Sequence, residues 1–585
     1  MLRQLKYLKP LDWFYVFCAF ALIFGNCWFE LEIFDYMAEI TSLISSNLSS
    51  VSEVLTKGAY MLMFAVLSMV LLVVSKFFVA KVASGLGSTL REKVYNKVIN
   101  FSSGEIKHFS TPSLITRSTN DITQVQMVIA QGMQILFKAP IMAVLAVCKI
   151  VSKNLAWTVA TITAVAIIVV TILIIVIVAM PKFKKMQTLT DNLNKVTREG
   201  LTGARVVRAF NAEGYQENKF DGANTEITNT HLFVNKWLSL MDPTMNFIMS
   251  ALPLSIYIIG AILIGGAGLL EKGAILGQMM TFSGYAIQVV MSFVMLIMIS
   301  IMIPRALVSA RRINEVLDTK NSVADGEGTV EPIKEGEVQF VNVGFKYPDA
   351  EEYVLHDISF KAKKGDVVAF IGSTGSGKST LINLVPRLYD ATEGQVIVDG
   401  VNVKDYTIEQ LNNKIGYISQ KAILFSGTVK ENITFGEKNG LKPTAEEVAE
   451  AIDISQSGFV YNLNGGLDAR IDQGGKNVSG GQKQRISIAR ALARKPEILI
   501  FDDSFSALDY KTDKALRLAL KEKSGDTTCL IVAQRIGTIK DADKIIVLDK
   551  GTVVGEGTHK ELMKNCSVYK EIAYSQLSKE ELKNA

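Results

Sequence analysis

Cysteine is scarce and scattered. The 585 residues hold five, Cys18, Cys27, Cys148, Cys529 and Cys566, with no CxxC pair, which excludes a disulfide framework and a thiolate zinc site. The four histidines, His108, His231, His356 and His559, stand far apart, without the spacing of a metal-ligating set. Charged residues make up only 20% of the chain, and the net charge of +5 is modest for this length. No block of like charge marks a nucleic-acid-binding tail, so nucleic acid is not an expected partner. With 49% hydrophobic residues and a mean hydropathy of +0.26, the chain is too apolar to be wholly soluble and far from disordered composition. A membrane protein is the first reading.

Nearly all the long apolar runs precede Pro304. A helical span needs roughly 20 mainly apolar residues to cross ~30 Å of hydrocarbon, and six segments qualify, at about 11–31, 58–80, 133–152, 155–180, 244–266 and 274–303. The run from Leu155 to Met180 carries no charge, whereas Lys138 and Lys149 interrupt the third. Lys149 lies near a predicted outer end and reads as a snorkelling side chain rather than an ion-pathway lysine. Glu30, Glu32 and Asp35, at the outer end of the first span, are expected in water, with attraction of cationic drugs as the sharper alternative. Asn47-Leu-Ser fits a glycosylation acceptor but is a pattern common by chance.

The connectors set the orientation. Arg91, Lys93, Lys97, Lys107 and Arg117 lie between spans two and three, and Lys182, Lys184, Lys185, Arg198, Arg205 and Arg208 between spans four and five. The opposite side offers little beyond Lys57, Lys153 and Lys272. Basic residues stay in the cytosol, which places both termini there. The two inner connectors, at roughly fifty to sixty residues each, exceed what turns need, and loops of that length usually act. Their stretches Ser113–Asp121 and Gly203–Phe210 read as helix. The expected division is a membrane domain over 1–303, a polar linker over 304–335 and a soluble domain over 336–585.

The soluble part carries phosphate chemistry. Asp366–Ile371 reads as a buried strand, followed by Gly372-Ser373-Thr374-Gly375-Ser376-Gly377-Lys378-Ser379-Thr380 and a helical pattern. In that strand-loop-helix context the glycines let backbone N–H groups wrap phosphates, Lys378 is placed to reach the β- and γ-phosphates, and Ser379 to bind Mg²⁺. A second strand, Glu497–Phe501, ends in Asp502-Asp503 and sets a carboxylate where Mg²⁺ would be held. ATP is the expected ligand. Between them lies Val478-Ser-Gly-Gly-Gln482 before a long helical stretch; glycines at a helix start expose backbone donors to a terminal phosphate.

The order of Walker A loop, Gln420 after a strand, SGGQ, Walker B strand and the Ser506–Asp509 turn resembles the ATP-binding cassette (ABC) transporter family. Six spans and one cassette on one chain resemble a half-size exporter of the type IV fold: an α-helical six-span transmembrane domain followed by an α/β P-loop cassette. The resemblance implies that Tyr347 stacks on adenine, that Gln420 senses Mg²⁺, that Ser479, Gly480, Gly481 and Gln482 close on ATP held by a second cassette, and that Asp509 lies at the interface between cassettes. It further implies a transport ATPase active as a dimer, whose inner connectors rest on the cassettes through candidate contact segments near Ser113–Asp121 and Arg205–Phe210.

Two positions depart from the family pattern. The residue after the Walker B aspartate is normally glutamate, which orients or deprotonates water, and here it is Asp503, shorter by about 1.5 Å. The switch histidine is replaced by Gln534, which donates a hydrogen bond but carries no positive charge. These changes predict a site that binds ATP and hydrolyses it slowly. They resemble the impaired-site subunit of heterodimeric bacterial multidrug exporters, whose companion half supplies a competent glutamate and histidine. The expected cargo is an amphipathic small molecule moved across the plasma membrane. A homodimeric lipid or peptide exporter and an ATP-gated regulatory or channel-like subunit are the alternatives. Met291, Met295, Met298 and Met302 share one helix face, either a flexible apolar surface for ligands or a packing seam.

Overall fold

The computed structural model describes residues 3–45, 50–151, 154–266, 268–523 and 525–577; Asn47 and Lys153 lie outside them. Two compact units emerge, one of Met1–Lys97 with Pro112–Asp318, the other of Val98–Thr111 with Thr319–Ala585.

The first unit is helical throughout. Its elements are α1 (Pro10–Ser45) and α2 (Val51–Ile99), then, beyond the short α3 (Ser103–Phe109) of the other unit, α4 (Thr111–Ser118), α5 (Asn120–Val151), α6 (Leu155–Thr202), α7 (Ala204–Ala209), α8 (Glu213–Leu238), α9 (Met241–Gly266) and α10 (Leu269–Asp318). Six helical stretches among the described residues are long and apolar enough to cross a membrane; four contain a predicted run whole, and Thr111–Val151 and Leu155–Ala179 each end one residue short of theirs. The helices outrun those runs. α2, α6 and α10 hold 49, 48 and 50 residues, about 70 Å each at ~1.5 Å per residue, more than twice the hydrocarbon thickness. Helix α10 continues through Pro304 to Asp318, where Arg3 grips the Asp318 carboxylate with two nitrogens at 2.5 and 2.6 Å. The polar stretch taken as linker therefore begins within a helix.

The lysines of the third span behave differently from the sequence expectation. Lys138 on α5 pairs with Glu30 on α1 at 2.8 Å, and Lys149 pairs with Asp35 at 2.6 Å and Glu32 at 3.1 Å. All five side chains are more than two-thirds buried. A charge in a low-dielectric helix interface is tolerated when its partner is there too, so these residues clip α1 to α5 rather than stand free in water. Close packing of α1 on α10 requires a glycine: a Cβ at Gly277 would sit 2.7 Å from the Ala38 carbonyl oxygen, the small-residue contact that lets membrane helices approach. Trp157, Ile256, Phe282 and Tyr285 fill the core, and the Trp157 indole donates to the Ile256 carbonyl at 3.1 Å. Met291 and Met298 are exposed and Met295 and Met302 half-buried, while Val290 and Ser292 are buried, so the methionine face points away from this core.

The second unit is built on strands β1 (Val338–Phe345), β2 (Leu355–Ala362), β3 (Val367–Gly372), β4 (Glu393–Val398), β5 (Val401–Asn402), β6 (Ile415–Ile418), β7 (Gly427–Thr428), β8 (Arg470–Ile471), β9 (Ile498–Asp502), β10 (Thr528–Val532), β11 (Lys544–Asp549) and β12 (Thr552–Gly557). They form a six-stranded sheet in the order β12-β11-β3-β10-β9-β6, a four-stranded sheet β2-β1-β4-β5 and the β7-β8 pair. In the larger sheet the five strands from β11 to β6 run parallel. Parallel strands are covered on both faces and read as continuous apolar runs. Side chains alternate accordingly: Ala369, Ile371, Leu499, Phe501 and Ile531 enter one core, and Val368, Phe370, Ile498, Ile500 and Leu530 the other.

Candidate functional site

Ligands of open parallel sheets bind at the carboxyl ends of the strands, and here four such ends align. Phe370 of β3 lies beside Val532 of β10, Val532 beside Asp502 of β9, and Phe501 of β9 beside Ile418 of β6. Each strand leads directly into residues singled out from the sequence: Gly372–Thr380 after β3, Gln420 after β6, Asp502-Asp503 at β9 and Gln534 after β10. They surround a cavity of about 340 Å³ lined by Thr374, Gly375, Gly377, Lys378, Ser379, Thr380, Gln420, Asp503 and Gln534, with Val354 and Val532.

The loop after β3 turns into α11 (Lys378–Asn383) at Gly377, whose φ of +94° is left-handed and whose missing Cβ would come within 2.7 Å of Leu355; only glycine meets both demands. Lys378 is buried within its own loop, its ammonium donating to the carbonyls of Gly372 at 2.9 Å and Ser373 at 2.7 Å. Burial pulls its pKa down, against the opposing pull of the Asp503 and Asp502 charges. Its proton is held loosely for a lysine, while an incoming anion would favour the charged form.

Asp502 accepts from the Ser379 hydroxyl at 2.6 Å and from the Tyr417 hydroxyl at 3.4 Å, and Tyr417 also donates to Asn383 at 3.0 Å. Burial lifts the pKa of Asp502, with the two hydroxyls and Lys378 opposing the rise. A hydroxyl and a carboxylate oxygen already in contact form the donor set that a hard divalent cation prefers, so these residues fit Mg²⁺.

Asp503 is the focus of the site. One of its oxygens, Oδ2, accepts from the Gln534 amide at 2.7 Å and from the Gln420 amide at 3.2 Å. Its backbone is left-handed at φ +49°, a conformation that aspartate tolerates better than most residues, and its N–H donates to the Val532 carbonyl at 3.0 Å. Burial raises its pKa first and the Asp502 charge adds to that, against the amides and Lys378. The three departures and landmarks noted in sequence, Gln420, Asp503 and Gln534, thus meet as one hydrogen-bonded cluster.

Other residues stand apart from the cavity. Tyr347 reaches its edge only through its hydroxyl, 2.9 Å from the Thr380 hydroxyl. Ser479 caps the helix Gly480–Leu492, accepting from the Gln482 N–H at 3.3 Å while its own N–H donates to the Gln482 side chain at 2.9 Å. A Cβ at Gly480 would meet nothing within 4 Å, and one at Gly481 only the Ala507 carbonyl at 3.5 Å. Nothing in this chain requires glycine there, so the helix start presents an open face. Asp509 is exposed and caps its own turn through Thr512 at 3.0 and 2.8 Å, bonds that hold its carboxyl below the usual range.

Two features escaped sequence reasoning. Tyr417 carried no motif. Helix α3 did carry one: Ser102 and Glu105 form a capping box, the S-x-x-E pattern of a helix start. It, and not Ser113–Asp121, belongs to the unit holding the site.

Comparison with known proteins agrees with this arrangement. Residues 14–293 match the profile of the ABC transporter transmembrane region and residues 355–506 that of the ABC transporter. The chain is 39% identical over 522 residues to an uncharacterized ABC transporter ATP-binding protein of Mycobacterium tuberculosis, spanning 89% of this chain and 88% of that relative. It is 32% identical over 489 residues to the ATP-dependent lipid A-core flippase of Pseudomonas aeruginosa, spanning 83% and 79%. The solved structure of a bacterial Atm1-family ABC exporter with ATP bound superposes with a TM-score of 0.77 at 24% identity, covering 97% of this chain and 99% of that one, a likeness of fold.

Proposed function

This chain belongs to the ABC transporter family, with six membrane-crossing helices and an ATPase domain that drives transport, and from that premise we propose that it is the hydrolysis-impaired half of a heterodimeric exporter. The observation that carries the proposal is the convergence of two glutamine amides on one oxygen of Asp503. A carboxylate so engaged, and shorter than the usual glutamate by about 1.5 Å, is poorly placed to orient an attacking water. Misplacement by about 1 Å costs on the order of 100-fold in rate. Gln534 adds a neutral donor where a positive charge would stabilise the transition state.

ATP binding does not depend on those two residues. The Gly372–Thr380 loop offers backbone donors and the Lys378 ammonium to the phosphates, and Tyr347 a ring to the adenine. Ser379, Asp502 and Gln420 would hold Mg²⁺, which supplies charge neutralisation at the β- and γ-phosphate oxygens. The open start of the helix Gly480–Leu492 is the surface this chain offers to ATP bound by a companion cassette, with Asp509 beside it at the junction. In this division of labour the companion contributes a competent Walker B glutamate and switch histidine, and its ATP is the one consumed. An ATP resting at Asp503 biases the dimer toward the closed state by its preference for that state. Both termini lie in the cytosol.

The exposed methionine face of α10 favours amphipathic small molecules as cargo. A lipid is the second reading, favoured by the 32% identity to the lipid A-core flippase. The mixed dimer tests the assignment: Gly481→Asp should abolish ATPase activity, and Asp503→Ala should spare most of it. The reverse pattern would overturn the proposal.

A further inference from the structure

The adenine shelf is covered by a residue that no motif marked. The ammonium of Lys107, on α3, stands 4.7 Å from the centroid of the Tyr347 ring and 5.5 Å from that of Tyr389. Phe345 and Tyr389 crowd the same tyrosine at near right angles, with centroids at 5.0 and 5.3 Å. Lys107 is not there by accident of a loose loop. Two residues earlier, Glu105 is buried and accepts from the backbone N–H of Ser322 at 3.0 Å and of Ser102 at 3.1 Å, and the Ser102 and Ser322 hydroxyls meet at 2.8 Å. Phe101 and Phe109 stack across the ends of the segment.

We propose that Lys107 competes with the nucleotide base for the face of Tyr347, so that loading of the site displaces this lysine. The proposal rests on the reading of Tyr347 as the adenine shelf. A stacked base needs its plane about 3.5 Å from the ring, and an ammonium on that face occupies the same space. The cation is drawn there by the ring quadrupole, a weak attraction at an exposed position, enough to lower affinity for a base without blocking it. The phosphates bind at the Gly372–Thr380 loop and are untouched by this competition. Base stacking therefore trades places with a residue of the connector between the second and third spans, while the contacts of Glu105 and Ser102 with Ser322 stay in place.

The test compares ATP with inorganic tripolyphosphate, which carries the phosphates and no base, by calorimetric titration of the full-length dimer in lipid nanodiscs. Lys107→Ala should tighten ATP about two- to fivefold, the size of an exposed cation–π contact, and leave tripolyphosphate unchanged. Lys107→Arg, which keeps the cation, should match the unaltered protein. Unchanged or weakened ATP binding in Lys107→Ala would overturn the proposal. Tyr347→Ala separates the two levels: it should weaken ATP and not tripolyphosphate, and if it weakens neither, the shelf reading itself is wrong whatever Lys107 does.

Discussion

Replacing Asp503 by glutamate adds the missing methylene to the carboxylate that both glutamine amides now hold. The added reach is about 1.5 Å, and a catalytic group moved into place by about 1 Å recovers on the order of 100-fold. Two features limit the gain. Gln534 still brings no positive charge, and the left-handed backbone at position 503 costs glutamate about 1 kcal/mol more than a relaxed conformation. The expected result is a rise of about 10- to 100-fold in phosphate release at this site, with ATP affinity within about threefold of the starting value. Phosphate release is followed in the purified dimer with the companion site silenced at its own Walker A lysine. Adding Gln534→His should raise the rate again, and by more than the two single changes predict together, because groups that act on one transition state do not add independently. If Asp503→Glu leaves the rate unchanged while ATP still binds, the length of the carboxylate is not what limits hydrolysis, and the reasoning fails.

Asp503→Asn tests the electrostatics. The pKa of Asp503 is raised, so its ionised form costs folding stability above that raised value, and the cost fades as pH falls toward the ordinary carboxylate range. The asparagine variant, without Mg²⁺ or nucleotide, should therefore melt higher than the unaltered protein at neutral pH, with the difference shrinking as pH falls toward the ordinary aspartate range near about 4; a difference independent of pH would contradict the assignment. In the membrane unit, Lys138→Ala leaves Glu30 without its cation and should cost about 1–3 kcal/mol, less than a fully buried pair because both side chains keep some exposure. The double change Glu30→Ala with Lys138→Ala should recover much of the loss in a thermal melt, and no recovery would mean that the two residues act separately.

The spans were legible because roughly 20 apolar residues have few other uses, and the phosphate loop because its glycines, lysine and serine stand, between a strand and a helix, at the spacing that wraps phosphates. What sequence could not supply was distance. Lys138 and Lys149 looked like flaws in a span because their carboxylates lie on another helix, more than a hundred residues away in the chain. The lengths of α2, α6 and α10 beyond their apolar runs carry polar and charged residues, and composition that marks a span does not mark where its helix stops. Asp503 and Gln534 were each visible as substitutions, but their shared hydrogen bond, with Gln420 as third member, arises only when β6, β9 and β10 lie side by side. Helix α3 announced its own start through Ser102 and Glu105. Its membership of the cassette depended on Ser322, which no local pattern links to it.

The most direct measurement is the fate of ATP held by this chain in a single turnover. Radiolabelled ATP is bound to the purified full-length protein, free nucleotide is removed, and the retained nucleotide is identified over time. The account predicts that it remains ATP for many times longer than the ~0.1 s turnover of a median enzyme. Conversion to ADP within a few such turnovers, by this chain without a companion, would contradict it.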